Sequence, residues 1–219
     1  MDERGNSLSE RVYLSLRESI VKGEFYPGVR LLVLEIANSL KISQAPVREA
    51  MERLKQEGLL ISNHNKGSFV AEIKQEEIEE IYALRELIEW DAVKRSIPDL
   101  QPSDFTHLIE IYKSMKRAAE NNDLFQLIDL DMEFHRFFFT KSGNKTILQI
   151  WDQIHIKIKR FLSITNILYF PDLITIAEGH MPLIEALQTG NEKEVEKRFI
   201  EHMKEVWWRM NKKKDSERG

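Results

Sequence analysis

The sequence predicts a mainly α chain: an N-terminal winged helix-turn-helix of three helices plus a β-hairpin wing, then a C-terminal all-α helical bundle. Three observations carry that expectation. Strand-like runs are confined to "LLIS" and "SFVAE", separated by the turn-forming "NHNKG". Just before them, two short apolar-periodic segments flank a tight "KIS" turn. From Gln75 onward, apolar residues recur at three and four, the helical period, and the strand signals vanish.

Taken in order, Ser7 with Glu10 fits a capping box, and Val12, Leu16 and Ile20 continue at helical spacing. Gly23, Pro27 and Gly28 break the chain. A short helix is expected around Leu34–Leu40 and a third from about Gln44 to Glu57, with Ser43 placed to cap it. Pro46 falls in its first turn, where proline is tolerated, and Gly58 ends it. Beyond Lys74 the breaks "PDLQPSD", "NND", "SGN", "YFPD" and "TGN" delimit six helices of roughly 15 to 25 residues. The expected organisation is a winged-helix domain over 1–74, a helical domain over 75–212 and a disordered polar tail over 213–219.

Composition narrows the function classes. The chain has 219 residues, 42% hydrophobic and 31% charged, which describes a globular protein. No apolar run approaches the roughly 18 residues of a membrane span, and the polar start "MDERGNSLSER" has no signal-peptide core, so a cytoplasmic protein is expected. With no cysteine, disulfides and thiolate metal sites are excluded. The net charge of −4 argues against a general phosphate-coating surface. Within 41–66, however, five basic residues face three acidic ones, a local and modest footprint for a polyanion.

In a winged helix-turn-helix the first residues of the second helix of the motif enter the major groove. Here these are Gln44, Ala45 and Arg48, with Gln44 and Arg48 sharing a face. Glutamine suits adenine and arginine suits guanine, each in bidentate fashion. Lys66, beside Gly67 at the hairpin tip, is placed for phosphate or the minor groove.

The run "ISQAPVREAMERLKQEGLL…KGSFV" resembles the winged-helix signature of the GntR family of bacterial transcription regulators, over residues 8–73. The resemblance implies a homodimer on double-stranded operator DNA, with the Arg48 helix in the groove. Members of that family often carry arginine where this chain has Gln44 and Leu34. Gln44 therefore implies an altered operator sequence, and Leu34 an absent contact.

The helical part holds the stretch "DLDMEFHRFFF", in which Asp131 and His135 stand four apart, on one helix face, among phenylalanines. Alone, the pair reads equally as a solvated edge, a core hydrogen bond or half of a metal site. Of the other histidines, His64 and His107 read as surface and His155 as core or supporting. If the last two helices form a hairpin turning at "TGN", His180 and His202 lie about 15 and 18 Å from the turn, at nearly one level. Three imidazoles and a carboxylate suit zinc, nickel, manganese or iron.

Residues 76–210 resemble the FCD effector domain of the FadR-like GntR subgroup, in what looks like a shorter, six-helix variant. The matching stretches are "LRELIEWDAV", "DMEFHRFFF", "SGNKTIL" and "GHMPLIEALQTGN…FIEHM". In that family the corresponding aspartate and three histidines bind a divalent metal, which implies Asp131, His135, His180 and His202 as ligands here, zinc or nickel foremost. A small organic acid is the implied effector, completing the coordination, with Arg85 and Arg160 as candidate forks for its charge. The plain alternative for Arg85 is an exposed pair with Glu89 at i+4. A metalloenzyme remains the rival function, although no general base or nucleophile motif stands beside the cluster. A regulator with a purely structural metal is the other.

Overall fold

The computed structural model describes residues 7–63, 67–72, 74–169 and 172–217, with the side chains of 75, 164–169 and 206–217 left aside. The chain divides into two compact units, Met1–Gln75 and Glu76–Gly219.

In the first unit, α1 (Leu8–Val21) starts on the Ser7 hydroxyl, which accepts from the Glu10 amide. Its buried stripe of Val12, Tyr13, Leu16 and Ile20 packs on Val47, Ala50, Met51 and Leu54 of α3 (Gln44–Gln56). Between them lies α2 (Val33–Leu40), closed by Lys41 in the left-handed region at φ 55°. That residue reverses the chain within the "KIS" turn. Ser43 does occupy the N-cap position of α3, but its hydroxyl makes no capping bond.

The wing is larger than the predicted hairpin. Leu60–Asn63 (β2) and Gly67–Val70 (β3) pair antiparallel, and Arg30–Leu31 (β1) joins the other edge of β3, giving the order β1-β3-β2. Two residues are too few to show an alternation, so β1 left no pattern in the sequence. Lys66 and His64 lie outside the described residues.

The second unit holds seven α-helices among the described residues, not six: α4 (Gln75–Ser96), α5 (Pro102–Glu120), α6 (Leu124–Lys141), α7 (Lys145–Tyr169), α8 (Leu173–Glu178), α9 (Met181–Thr189) and α10 (Glu192–Glu217). The stretch expected to be one helix before "TGN" breaks at Gly179 and His180, and Pro182 then sits in the first turn of α9. Proline lacks the amide and crowds the preceding carbonyl, so the chain restarts rather than continues. The last helix also runs through 213–217, the segment expected to be a disordered tail. No glycine or proline interrupts 191–218, and its lysines and glutamates are good helix formers.

The core of this unit is aromatic. Phe134, Phe138 and Phe139 of α6, Trp151 of α7 and Phe199 of α10 are fully buried. Phe139 stacks on Trp151 with centroids 4.5 Å apart, and Phe138 meets Phe199 edge-on at 5.2 Å. Each such side chain contributes about 1.5–3 kcal/mol by burial, and together they hold α6 rigidly at the centre. No helix among the described residues is long and apolar enough to cross a membrane.

Candidate metal centre and DNA-reading helix

Asp123 caps α6 by accepting the Gln126 amide, which sets the helix register. Asp131 and His135 then fall on the same inward face as Phe134 and Phe138, and both are buried. The break that starts α9 presents His180 from its N-cap position, and α10 presents His202. One ligand atom from each of the four residues lies within 4.8 Å of all the others. His180 Nε2 is 3.1 Å from Asp131 Oδ1, His135 Nε2 is 3.9 Å from the same oxygen, and the Nε2 atoms of His202 and His135 are 3.3 Å apart.

The partners of the outer ring nitrogens decide what faces inward. His135 Nδ1 donates to Glu89 Oε1, and His180 Nδ1 donates to the Ile176 carbonyl at 3.1 Å. A carbonyl can only accept. So can the Glu89 carboxylate, which is buried but held ionised at about 2 because His135 and Arg85 outweigh the cost of that burial. Each of these two imidazoles therefore has its Nδ1 fixed outside the cluster and presents Nε2 inward. Asp131 is also held well below the usual carboxylate range: burial opposes ionisation, but contact with His180 and the charges of His135 and Arg85 prevail. Burial and the neighbouring histidines push His202 well below its ordinary value, which favours its neutral form. His180 Nε2 is buried and faces the Asp131 carboxylate at 3.1 Å. Three imidazoles and a carboxylate thus converge on one point, a nitrogen–oxygen set of the kind divalent cations take.

Glu89 is the residue that sequence reasoning placed wrongly. It pairs with Arg85 at i+4 as expected, at 2.9 Å, but both side chains are buried, not exposed. Arg85 lies 5.7 Å from the rings of Tyr82 and Trp151. With Asp131, His202, Ile128, Leu162 and Met203 it lines a cavity of about 40 Å³ beside the cluster. Arg160 is buried too, but it is not among the residues lining that cavity; burial lowers its guanidinium and the charge of Glu77 opposes this. His155 is half-buried, stacked on Trp151 at 6.5 Å, with Nδ1 on the Asp152 carbonyl; His107 is exposed. Glu133 faces solvent on α6, away from the cluster.

In the first unit, Gln44, Ala45 and Arg48 are all exposed on the opening turns of α3. Arg48 Nη2 donates to Gln44 Oε1 at 2.9 Å, so the two polar heads are held as one group. Leu34, at the start of α2, is 55% exposed. Gly67 opens β3 at φ 99°, a conformation that suits only glycine, and a side chain there would meet Arg30 Nε at 3.3 Å. Arg30 thereby adds an exposed cation to the wing. Its only sequence signal was a basic residue in the apolar run "VRLL".

A winged helix-turn-helix with polar side chains at the mouth of its second motif helix, joined to an all-helical unit with a buried ligand cluster, defines a class: transcription regulators with a sensor-type domain. The comparisons specify it further. Residues 8–70 match the model for bacterial regulatory proteins of the gntR family, and residues 80–205 match the FCD domain. The chain belongs to the FCD-containing GntR regulators and is a transcription regulator, not an enzyme. It is 26% identical over 191 residues to the uncharacterized HTH-type transcriptional regulator YdhC of Bacillus subtilis, covering 87% of this chain and 85% of that one. To the HTH-type transcriptional regulator McbR of Escherichia coli it is 27% identical over 151 residues, covering 69% and 68%. The solved E. coli McbR/YncC structure shares the fold with a TM-score of 0.77 at 23% identity, over 94% of this chain and 99% of that chain.

Proposed function

We propose that this chain is a homodimeric, metal-dependent repressor whose hold on operator DNA is set by a small organic acid. Gln44, Ala45 and Arg48 would read base edges in the major groove, and the wing at Lys66 and Gly67 would meet the backbone. Repression is the sense of regulation that two relatives carry in their names, the HTH-type transcriptional repressor RspR of E. coli and a probable D-xylose utilization operon repressor of Paenarthrobacter nicotinovorans.

The observation that carries the sensor half of this reading is the convergence of three imidazoles and a carboxylate, with Nδ1 of His135 and His180 anchored on acceptors outside the cluster. Asp131, His135, His180 and His202 would hold a divalent ion, and the nitrogen–oxygen set favours zinc or nickel, with manganese or iron next. The ion supplies open positions that a carboxylate can occupy. Arg85, on the same cavity wall, supplies the positive charge to orient such an anion. Arg160 does not line this cavity. The 40 Å³ cavity has room for a few water-sized groups, and an acid larger than that would displace its lining. Such a displacement is what would let occupancy favour one arrangement of the dimer, which regulation requires.

A thermal-shift screen of small organic acids, run with and without chelator, tests this. An acid at a hundred times its Kd should stabilise the metal-loaded protein by about 2.7 kcal/mol and change operator affinity, with no effect after chelation. Acids that leave both metal affinity and operator affinity untouched would reduce the ion to a structural role.

A further inference from the structure

The four residues of the cluster are not held alike. His135 and His180 are fully buried, and each has its Nδ1 anchored, one on Glu89 and the other on the Ile176 carbonyl. Asp131 is buried beside them. His202 is half-buried, and its Nδ1 makes no hydrogen bond among the described residues. Its ring leans only on the other imidazoles, with centroids 5.3 Å from His135 and 4.5 Å from His180. His202 also stands between two spaces. On one side is the 40 Å³ cavity, and on the other an open groove of about 680 Å³, lined by Leu183 of α9 and Ile200 of α10. Gly179, His202 and Glu205 border both. Gly179 follows α8 with ordinary helical backbone, φ −58°, so no torsion calls for glycine there. What its missing side chain leaves is space: a Cβ at this position would lie 3.6 Å from His202 Nδ1.

We infer that His202 is the gate of the cluster: its ring swings past Gly179 into the groove between α9 and α10 and opens the route by which a divalent ion is exchanged. Asp131, His135 and His180 stay in place as it moves. A close-packed interior passes no ion unless one of its side chains gives way. Turning His135 would strip the buried Glu89 carboxylate of a partner, and turning His180 would break its bond to the Ile176 carbonyl. Turning His202 breaks no hydrogen bond at Nδ1 and carries the ring toward open space, where water can serve both nitrogens. Three members of the cluster are thus fixed from behind and one is exchangeable. This inference rests on the proposed metal site and adds the way into it.

The missing side chain at Gly179 supplies the test. In Gly179→Ala the added methyl meets the Ile176 carbonyl at 3.4 Å and His202 Nδ1 at 3.6 Å, ordinary contacts that leave the closed ring where it is. The full chain should therefore melt normally and bind zinc with unchanged affinity. Zinc uptake, and zinc release to excess chelator followed by stopped flow, should both slow about ten-fold, because the ring must crowd past the methyl. A second measurement needs no metal. In the zinc-free full chain, diethyl pyrocarbonate should acylate His202 well before His135 and His180, read by peptide mass spectrometry, and Gly179→Ala should retard that reaction. Exchange at the wild-type rate in Gly179→Ala would overturn the gate while leaving the metal site intact. Acylation of His135 or His180 as fast as His202 would overturn the division into fixed and exchangeable members. A chain that takes up no zinc, nickel, manganese or iron would remove the metal reading beneath the inference.

Discussion

Arg48 in α3 and His135 in α6 each stand four residues after a polar partner, Gln44 and Asp131, and the molecule uses the shared spacing in opposite ways. The Gln44–Arg48 pair lies in solvent, joined only to itself, with both heads available to an outside surface. Asp131 and His135 are buried, and the outer nitrogen of His135 is fixed by Glu89, which is in turn fixed by Arg85. One site gains its partners from a ligand that brings hydrogen bonds of its own. The other has its ring orientation set in advance by residues behind it, as a site for a divalent cation would need. The spacing i, i+4 defines a shared face; the neighbours decide how deep that face lies.

The largest effect should come from removing the support behind the buried site. Glu89→Ala leaves the Arg85 guanidinium buried without its carboxylate and frees His135 to turn. Breaking such a pair costs about 3–5 kcal/mol. The melting temperature should fall on the order of 10 °C, and zinc or nickel affinity, read by titration, by about 10- to 100-fold. Operator contacts of the folded first unit should keep their base preference. If Glu89→Ala melts like the wild type, the contrast between a supported and an unsupported pair fails.

A smaller and opposite signature belongs to α3. Arg48→Ala should cost about 1–3 kcal/mol of operator discrimination at each half-site, measured by gel shift against a scrambled site. Metal content and melting temperature should not change, because an exposed side chain with one exposed partner contributes little to stability. Loss of metal in this variant would show that the two sites are not independent modules.

The sequence made these two regions legible to different degrees, for physical reasons. The helix-turn-helix was readable because its breaks are local: Gly58 and the "KIS" turn act within a few residues, and Ser7 caps α1, although the Glu10 half of the expected box turns to Arg53 instead. The wing's third strand was not, since Arg30–Leu31 is defined by pairing with Phe69 and Ser68, far along the chain. In the helical unit the cluster was anticipated from two hairpin levels, yet the hairpin assumed for His180 is wrong in detail: that residue stands at a break, not inside a long helix. Glu89 was visible only as a surface partner of Arg85. Its burial comes with its contact to His135 of α6, which no window of α4 contains.

The smallest effect sharpens the comparison from the other unit, where α1 and α3 are joined by a polar network at the edge of the core. Tyr13 donates its hydroxyl to Glu57, Arg53 lies 3.7 Å over its ring and also meets Glu10, and Arg17 reaches Glu57 at 3.3 Å. Burial, then the bond to Glu57, pushes the Tyr13 phenol up to about 12, with Arg17 opposing. The fold therefore favours the neutral phenol. The stability this contributes is complete below the ordinary tyrosine value near 10 and is lost as pH climbs through about 12. Tyr13→Phe should cost about 0.5–1.5 kcal/mol at neutral pH, one hydrogen bond, and should flatten the alkaline fall in urea stability relative to wild type. Tyr82, buried in the second unit, is also raised, mainly by burial. An unchanged alkaline slope in Tyr13→Phe, together with a flattened one in Tyr82→Phe, would mean that alkali opens the helical unit first. The α1–α3 network would then be the more tolerant of the two.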